Sequence, residues 1–152
     1  MLRLTGSDGS LFEMRVVGYQ FLELHNEWHD ANWLRIWIHV IHPKGEWSSI
    51  DASLLTKEVE DLANWFDAIA NGHKVKAVQD FTEPHLYFRL INIEVKQPLL
   101  RIYFESASRP RWAWSEIVPA KDLFIEFPLS ELNLVQAAEE LRQEYKQYPE
   151  RV

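Results

Sequence analysis

Alternating apolar and polar positions predict that most of the chain forms β-strands. The clearest pattern covers residues 33–41, where aliphatic side chains fall on one face and mainly aromatic and charged ones on the other: Leu34, Ile36, Ile38 and Val40 against Trp33, Arg35, Trp37 and His39. Similar patterns predict further strands at residues 2–5, 11–22, 46–50, 74–80, 85–93, 99–105 and 123–127. Within residues 11–22 the apolar phase changes across Gly18, which indicates a β-bulge.

Two segments have the spacing of apolar residues that is typical of amphipathic helices. Their stripes are Leu55, Val59, Leu62, Phe66 and Ile69 in the first segment, and Leu134, Ala138, Leu141, Tyr145 and Tyr148 in the second. We expect Asp51 or Ser53 to cap the first helix and Asn133 to cap the second. The order of elements predicts an α+β fold, a mostly antiparallel β-sheet or sandwich of about 6–8 strands with two packed helices. No linker or repeat interrupts the chain, so we expect a single domain over residues 1–152.

The composition limits location and partners. The chain has a net charge of −7 and no cysteine, which excludes disulfides and thiolate chemistry. Its first residues are too polar for a signal peptide, and no apolar run approaches the roughly 20 residues that cross a bilayer. We therefore expect a cytoplasmic protein without membrane contact. An acidic chain repels phosphate backbones, so a basic protein is a more favourable partner than a nucleic acid.

The motifs of common enzyme classes do not occur in the sequence. The nucleophile elbow Gly-x-Ser-x-Gly, the phosphate loop and the dinucleotide fingerprint are all missing. His25 and His29 have the spacing of metal ligands on a helix, but Asn26 stands where the metalloprotease pattern needs glutamate. We predict a protein that is not an enzyme, with no catalytic residue, no cofactor and no metal. A metal-dependent hydrolase using His25 and His29 is the least favoured alternative.

Three aromatic segments are candidate binding surfaces. Residues 23–30 place carboxylates around a tryptophan, which suits a basic partner unless Trp28 packs into the core, and the predicted contacts are Glu23, Glu27, Trp28 and Asp30. Residues 109–114 form a basic aromatic loop, with predicted contacts at Arg111, Trp112 and Trp114. The row from Trp33 to His39 could bind a carbohydrate or small ligand through Trp33 and Trp37. We instead expect a helix to cover that row, because the sheet needs helices on one of its faces.

Several short strings, in order over residues 18–149, resemble the WapI family of bacterial immunity proteins. They are Gly18-Tyr19-Gln20-Phe21, Asp30-Ala31-Asn32-Trp33-Leu34, Asp51-Ala52-Ser53-Leu54-Leu55-Thr56 before a helix with Trp65, Phe81-Thr82-Glu83-Pro84, Ser108-Arg109-Pro110 with Trp112, and Phe127-Pro128-Leu129. The resemblance implies a cytoplasmic protein made beside a secreted polymorphic toxin. Such a protein would bind and block the toxin's variable C-terminal domain, often a nuclease that acts on tRNA. No binding residue is carried over from the family.

Overall fold

The computed structural model describes residues 1–23, 26–91, 97–113 and 123–151. These residues form two antiparallel sheets of four strands each, in the orders β1-β2-β3-β4 and β5-β6-β7-β8. The strands are β1 (Leu2–Thr5), β2 (Leu11–Tyr19), β3 (Trp33–His42), β4 (Gly45–Leu55), β5 (Val78–Gln79), β6 (Leu86–Ile91), β7 (Leu99–Phe104) and β8 (Phe124–Pro128). The helices are α1 (Trp28–Asn32), α2 (Thr56–Ala70) and α3 (Leu134–Gln147), and short 3-10 turns cover Ser106–Ser108, Arg111–Ala113 and Leu129–Glu131. The predicted α+β fold is confirmed.

The apolar core lies between the inner faces of the two sheets and the helices. Phe12 of β2 contacts Phe88 of β6 and Phe104 of β7, with ring centroids 5.9 and 6.2 Å apart. Phe66 of α2 contacts Phe88 at 5.8 Å, and the buried residues of α3 join the same cluster. The aliphatic row of β3 faces this core, since Leu34, Ile36, Ile38 and Val40 are all buried. The other face of β3 therefore points away from the core.

The long helices pack against each other and are capped at their starts. Glu58 accepts the Leu55 N–H at 2.9 Å at the start of α2, and Asn133 accepts the Gln136 N–H at 3.0 Å at the start of α3. The prediction for Asn133 is confirmed, whereas neither Asp51 nor Ser53 caps α2. No helix in the described ranges has the length and hydropathy needed to cross a membrane.

The caps expected at Asp51 and Ser53 fail because both residues belong to β4. This strand was predicted to end at residue 50, but it pairs with β3 from Gly45 to Leu55. The strand predicted at residues 74–80 is much shorter, since only Val78–Gln79 pairs with β6. In contrast, the predicted bulge is confirmed as a register shift between Val16 and Gly18 of β2.

Candidate protein-binding surface

In the described part of the chain between β2 and β3, one acidic side chain accepts contacts from its neighbours. We call the described residues of this part, 20–23 and 26–32, the connecting segment. Glu27 precedes α1, where its Oε2 accepts the Asp30 N–H at 3.0 Å and its Oε1 lies 3.3 Å from His29 Nδ1. The backbone hydrogen bond from Asp30 is the main cause that lowers the pKa of Glu27, and the bond from His29 adds to it. Glu27 therefore carries its negative charge at neutral pH on an exposed side chain.

Arg151 holds the connecting segment from the far end of the sequence. Its Nη2 donates to Phe21 O at 2.9 Å and its Nε donates to Ala31 O at 2.8 Å. Its guanidinium carbon also lies 3.6 Å from the centroid of the Tyr19 ring, in the geometry of a cation–π contact. One side chain thus joins both ends of the segment.

Asn32 and Trp28 add buried polar contacts beneath the segment. Asn32 is fully buried, its Nδ2 donates to Trp28 O at 2.9 Å and to Arg151 O at 2.8 Å, and its Oδ1 accepts the Arg151 N–H at 2.7 Å and the Thr56 hydroxyl at 3.2 Å. The Trp28 indole N–H donates to Glu150 Oε1 at 2.7 Å. Because these bonds are formed before any partner arrives, binding here would cost little ordering of the chain.

The segment presents apolar side chains beside acidic ones. Phe21 is 36% exposed and Leu22 is 93% exposed, and both Glu23 and Glu27 are exposed as well. Asp30 and Trp28 are half-buried, so Trp28 is neither an open anchor nor a core residue. An apolar centre with a charged rim is the usual arrangement of a protein-binding surface.

The second group of predicted contacts lies elsewhere. The Trp112 ring packs edge-on against Trp47, with centroids 6.0 Å apart, beside the turn at Gly45. Trp112 is 37% exposed and Arg111 is exposed, whereas Trp114 lies outside the described residues. Gly45 pairs with the last residue of β3, and the connecting segment joins its first residue. Since the strand has 10 residues, its ends are about 30 Å apart, so the predicted contacts form two separate groups.

Among the described residues, no helix covers the row from Trp33 to His39, contrary to prediction. In the part of the chain that the structure describes, both long helices pack on the inner side of the sheet with Ile36 and its neighbours. On the outer side Arg35 is exposed, Trp33 and Trp37 are half-buried, and Ile50 of β4 is 50% exposed. We call this surface, formed by Arg15, Trp33, Arg35, Trp37 and Ile50, the Trp37 face.

A charge network borders the Trp37 face. His39 Nδ1 lies 2.8 Å from Glu13 Oε1 and its Nε2 lies 2.7 Å from Glu46 Oε1, while Arg3 Nε pairs with Glu13 Oε2 at 3.0 Å. The hydrogen bond to Glu13, followed by that to Glu46, raises the pKa of His39 above its ordinary value. The network places the His39 ring between two carboxylates, so both ring nitrogens of the histidine that the sequence suggested for stacking are already in contact with acidic side chains.

The Trp37 face lines none of four cavities found among the described residues. The cavities found among the described residues are lined by other segments, such as the 500 Å³ cavity between Ile69 of α2 and Leu134 of α3. Small ligands are bound in clefts that enclose most of their surface. A face that lines none of these cavities suits a macromolecule better than the carbohydrate that we considered from the sequence.

A polar cluster around His85 was not predicted from the sequence. Its Nδ1 lies 3.4 Å from Ser53 Oγ and 3.7 Å from Asp51 Oδ2, and its Nε2 lies 3.6 Å from Glu83 Oε2. Ser53 and His85 are 32 positions apart in the sequence, so no local motif could reveal this contact. Ser53 is buried, and the same His85 nitrogen faces both Ser53 and Asp51. A catalytic triad needs a carboxylate hydrogen-bonded to the histidine, whereas both carboxylates here lie beyond hydrogen-bond distance of the ring, at 3.6 Å for Glu83 and 3.7 Å for Asp51.

Metal ligation is not supported by the described residues either. They contain no group of three or more His, Asp or Glu side chains placed to hold an ion. His25 lies outside the described residues, and His29 contacts Glu27. No metal centre can therefore be built from them.

Comparison with known proteins places the chain in a family. A search of curated proteins and a search of solved structures found no match. The model of the Immunity protein WapI-like family matches residues 3–149, in agreement with the resemblance of the short strings. Because this match spans nearly the whole sequence, the chain belongs to the WapI-like family of immunity proteins, whose general role is immunity to toxins.

Proposed function

We propose that the chain binds the C-terminal domain of a cognate secreted toxin in the cytoplasm and blocks it by occupation. The toxin is of the polymorphic, contact-dependent kind, and its domain is a nuclease with a basic groove. The chain acts as one domain and catalyses no reaction. Membership in the immunity family supports a toxin as partner.

The observation that carries this proposal is the exposure of Phe21 and Leu22 beside Glu23 and Glu27 on a held backbone. An almost fully exposed leucine gains roughly 1.5–3 kcal/mol when a partner buries it. The adjacent carboxylates would pair with the cationic groove that a nuclease needs for phosphate groups. The surface thus combines an apolar contact with charge complementarity.

The net charge of the chain supports the same mechanism over longer distances. At −7, the chain attracts a basic toxin domain and accelerates the encounter. Screening by salt should therefore slow association more than it speeds dissociation. An affinity that does not change with ionic strength would contradict the electrostatic part of the proposal.

The test uses the toxin domain encoded next to the chain, measured by calorimetric titration and by rescue of growth in cells that express this domain. The variant Leu22→Asp/Glu23→Lys should bind at least about tenfold more weakly and rescue poorly. The matched control is Val135→Asp/Asp80→Lys, which changes another exposed aliphatic residue and another exposed acid, both away from the connecting segment. The control should bind as the wild type does.

Two results would overturn the proposal. The first is a lack of binding by the wild-type chain at micromolar concentrations. The second is toxin neutralisation that depends on turnover, seen as multiple toxin molecules inactivated by each molecule of the chain. If both variants bind equally well, the connecting segment is not part of the interface, but this result does not contradict blocking of the toxin by occupation.

A further inference from the structure

The Trp37 face has the side chains of a protein-binding surface. Arg15, Trp37 and Ile50 are direct neighbours across β2, β3 and β4, and Arg35 follows in the next row. The Arg15 guanidinium lies over the Trp37 ring, 5.1 Å from its centroid. Tryptophan and arginine are the residue types most enriched at the energetic centres of protein interfaces.

The charge of this face is opposite to that of the chain as a whole. Among the described residues, no carboxylate oxygen lies within 4.0 Å of the guanidinium of Arg15 or of Arg35. Arg3 on the same sheet is neutralised by Glu13, and Arg142 of α3 is neutralised by Asp67 at 2.6 Å. The Trp37 face therefore presents unpaired positive charge on a chain of net charge −7.

The Trp37 face is continuous with the connecting segment. The Gln20 N–H donates to Trp33 O at 2.8 Å, so the segment begins beside the Trp33 end of the face. Three strands over residues 33–39 offer an area of about 300 Å², whereas a stable interface buries about 800 Å² on each partner. A partner on this face must therefore cover the neighbouring segment as well.

We propose that the Trp37 face docks a carboxylate-bearing segment of the same toxin domain that the connecting segment contacts. This inference rests on the proposed function. Arg15 and Arg35 accept the carboxylates, because a guanidinium pairs with them in a bidentate geometry. Trp37 and Ile50 supply the apolar centre. The toxin domain thus carries an acidic patch beside its basic groove, and the two surfaces together fix its orientation.

The experiment measures the affinity of Arg15→Glu/Arg35→Glu for the same toxin domain by calorimetric titration. The matched control is Arg89→Glu, an exposed arginine on the outer face of the other sheet with no ion pair among the described residues. We expect at least about tenfold weaker binding for the double variant and less than about twofold for the control. A second variant, Arg15→Lys/Arg35→Lys, keeps the charge and should recover part of the affinity. Circular dichroism checks that each variant folds.

The outcomes separate this inference from the proposed function. If the wild-type chain binds the toxin domain and Arg15→Glu/Arg35→Glu binds equally well, the inference is wrong and the proposed function stands. If Arg89→Glu loses as much affinity as the double variant, only the overall charge matters and the inference is also wrong. If the wild type does not bind, both are wrong. A single-stranded RNA 20-mer is titrated in parallel, and tight binding that depends on Arg15 and Arg35 would show a nucleic-acid site in place of a protein contact.

Discussion

Replacing Arg151 by methionine tests whether the connecting segment is held in place before binding. The change removes the hydrogen bonds to Phe21 O and Ala31 O and the contact with the Tyr19 ring, while keeping a long apolar side chain. A hydrogen bond from a charged donor contributes about 1.5–3 kcal/mol, and a cation–π contact about 0.5–2 kcal/mol. Water replaces part of these contacts at a half-exposed site. We therefore expect the substitution to lower the free energy of local opening of the connecting segment by about 1–3 kcal/mol.

Hydrogen exchange measures this loss directly. The amides of Gln20 and Ala31 are protected by bonds to Trp33 O and Glu27 O. Their exchange should become about 5- to 150-fold faster in Arg151→Met, because 1–3 kcal/mol corresponds to about that ratio. Arg89→Met is the control and should leave both rates unchanged. Exchange within about twofold of the wild type in Arg151→Met would refute the claim that Arg151 holds the segment.

Three further changes test the network and the buried contacts. The variant His39→Gln should be less stable than the wild type at about pH 6. This difference in stability should disappear as pH rises through the raised pKa of His39, and thermal unfolding at several pH values measures it. Asn32→Ala leaves the groups around Arg151 and Thr56 unpaired, so urea unfolding should give about 2–4 kcal/mol less stability. Trp47→Phe removes the bond from the indole N–H to Ser108 O at 2.8 Å and should cost about 1–3 kcal/mol in the same assay.

The sequence predicted the strands whose two faces differ most in polarity. In β3 every second residue enters the core, so alternation marks the strand along almost its whole length. The end of β4 was missed because Asp51 and Ser53 interrupt the apolar pattern of a strand at the edge of its sheet. Helix α1 was missed because its 5 residues are too few to show a helical period.

Local sequence patterns could not predict which face of the sheet is covered by the helices. The alternation in β3 separates Ile36 from Trp37, but both faces carry large apolar side chains. The choice between them depends on where the two helices pack, and this follows from contacts between distant parts of the chain. The expectation that a helix covers Trp37 was wrong for this reason.

The candidate binding surface could likewise be predicted only in part from the sequence. The acidic and aromatic composition around Glu23 and Trp28 is visible in the sequence and indicated a binding surface. The residues that hold this surface are not visible, because Arg151 and Glu150 lie more than 100 positions away. The contact residues themselves remain a prediction.

The central claim is that the chain neutralises its toxin through the connecting segment and the Trp37 face. Hydrogen-exchange footprinting of the complex with the toxin domain tests it most directly. We predict that toxin binding slows exchange in residues 20–23 and 26–37, with little change in α2 and α3. Protection confined to the two long helices or to the strands of the other sheet, with residues 20–37 unchanged, would contradict the account.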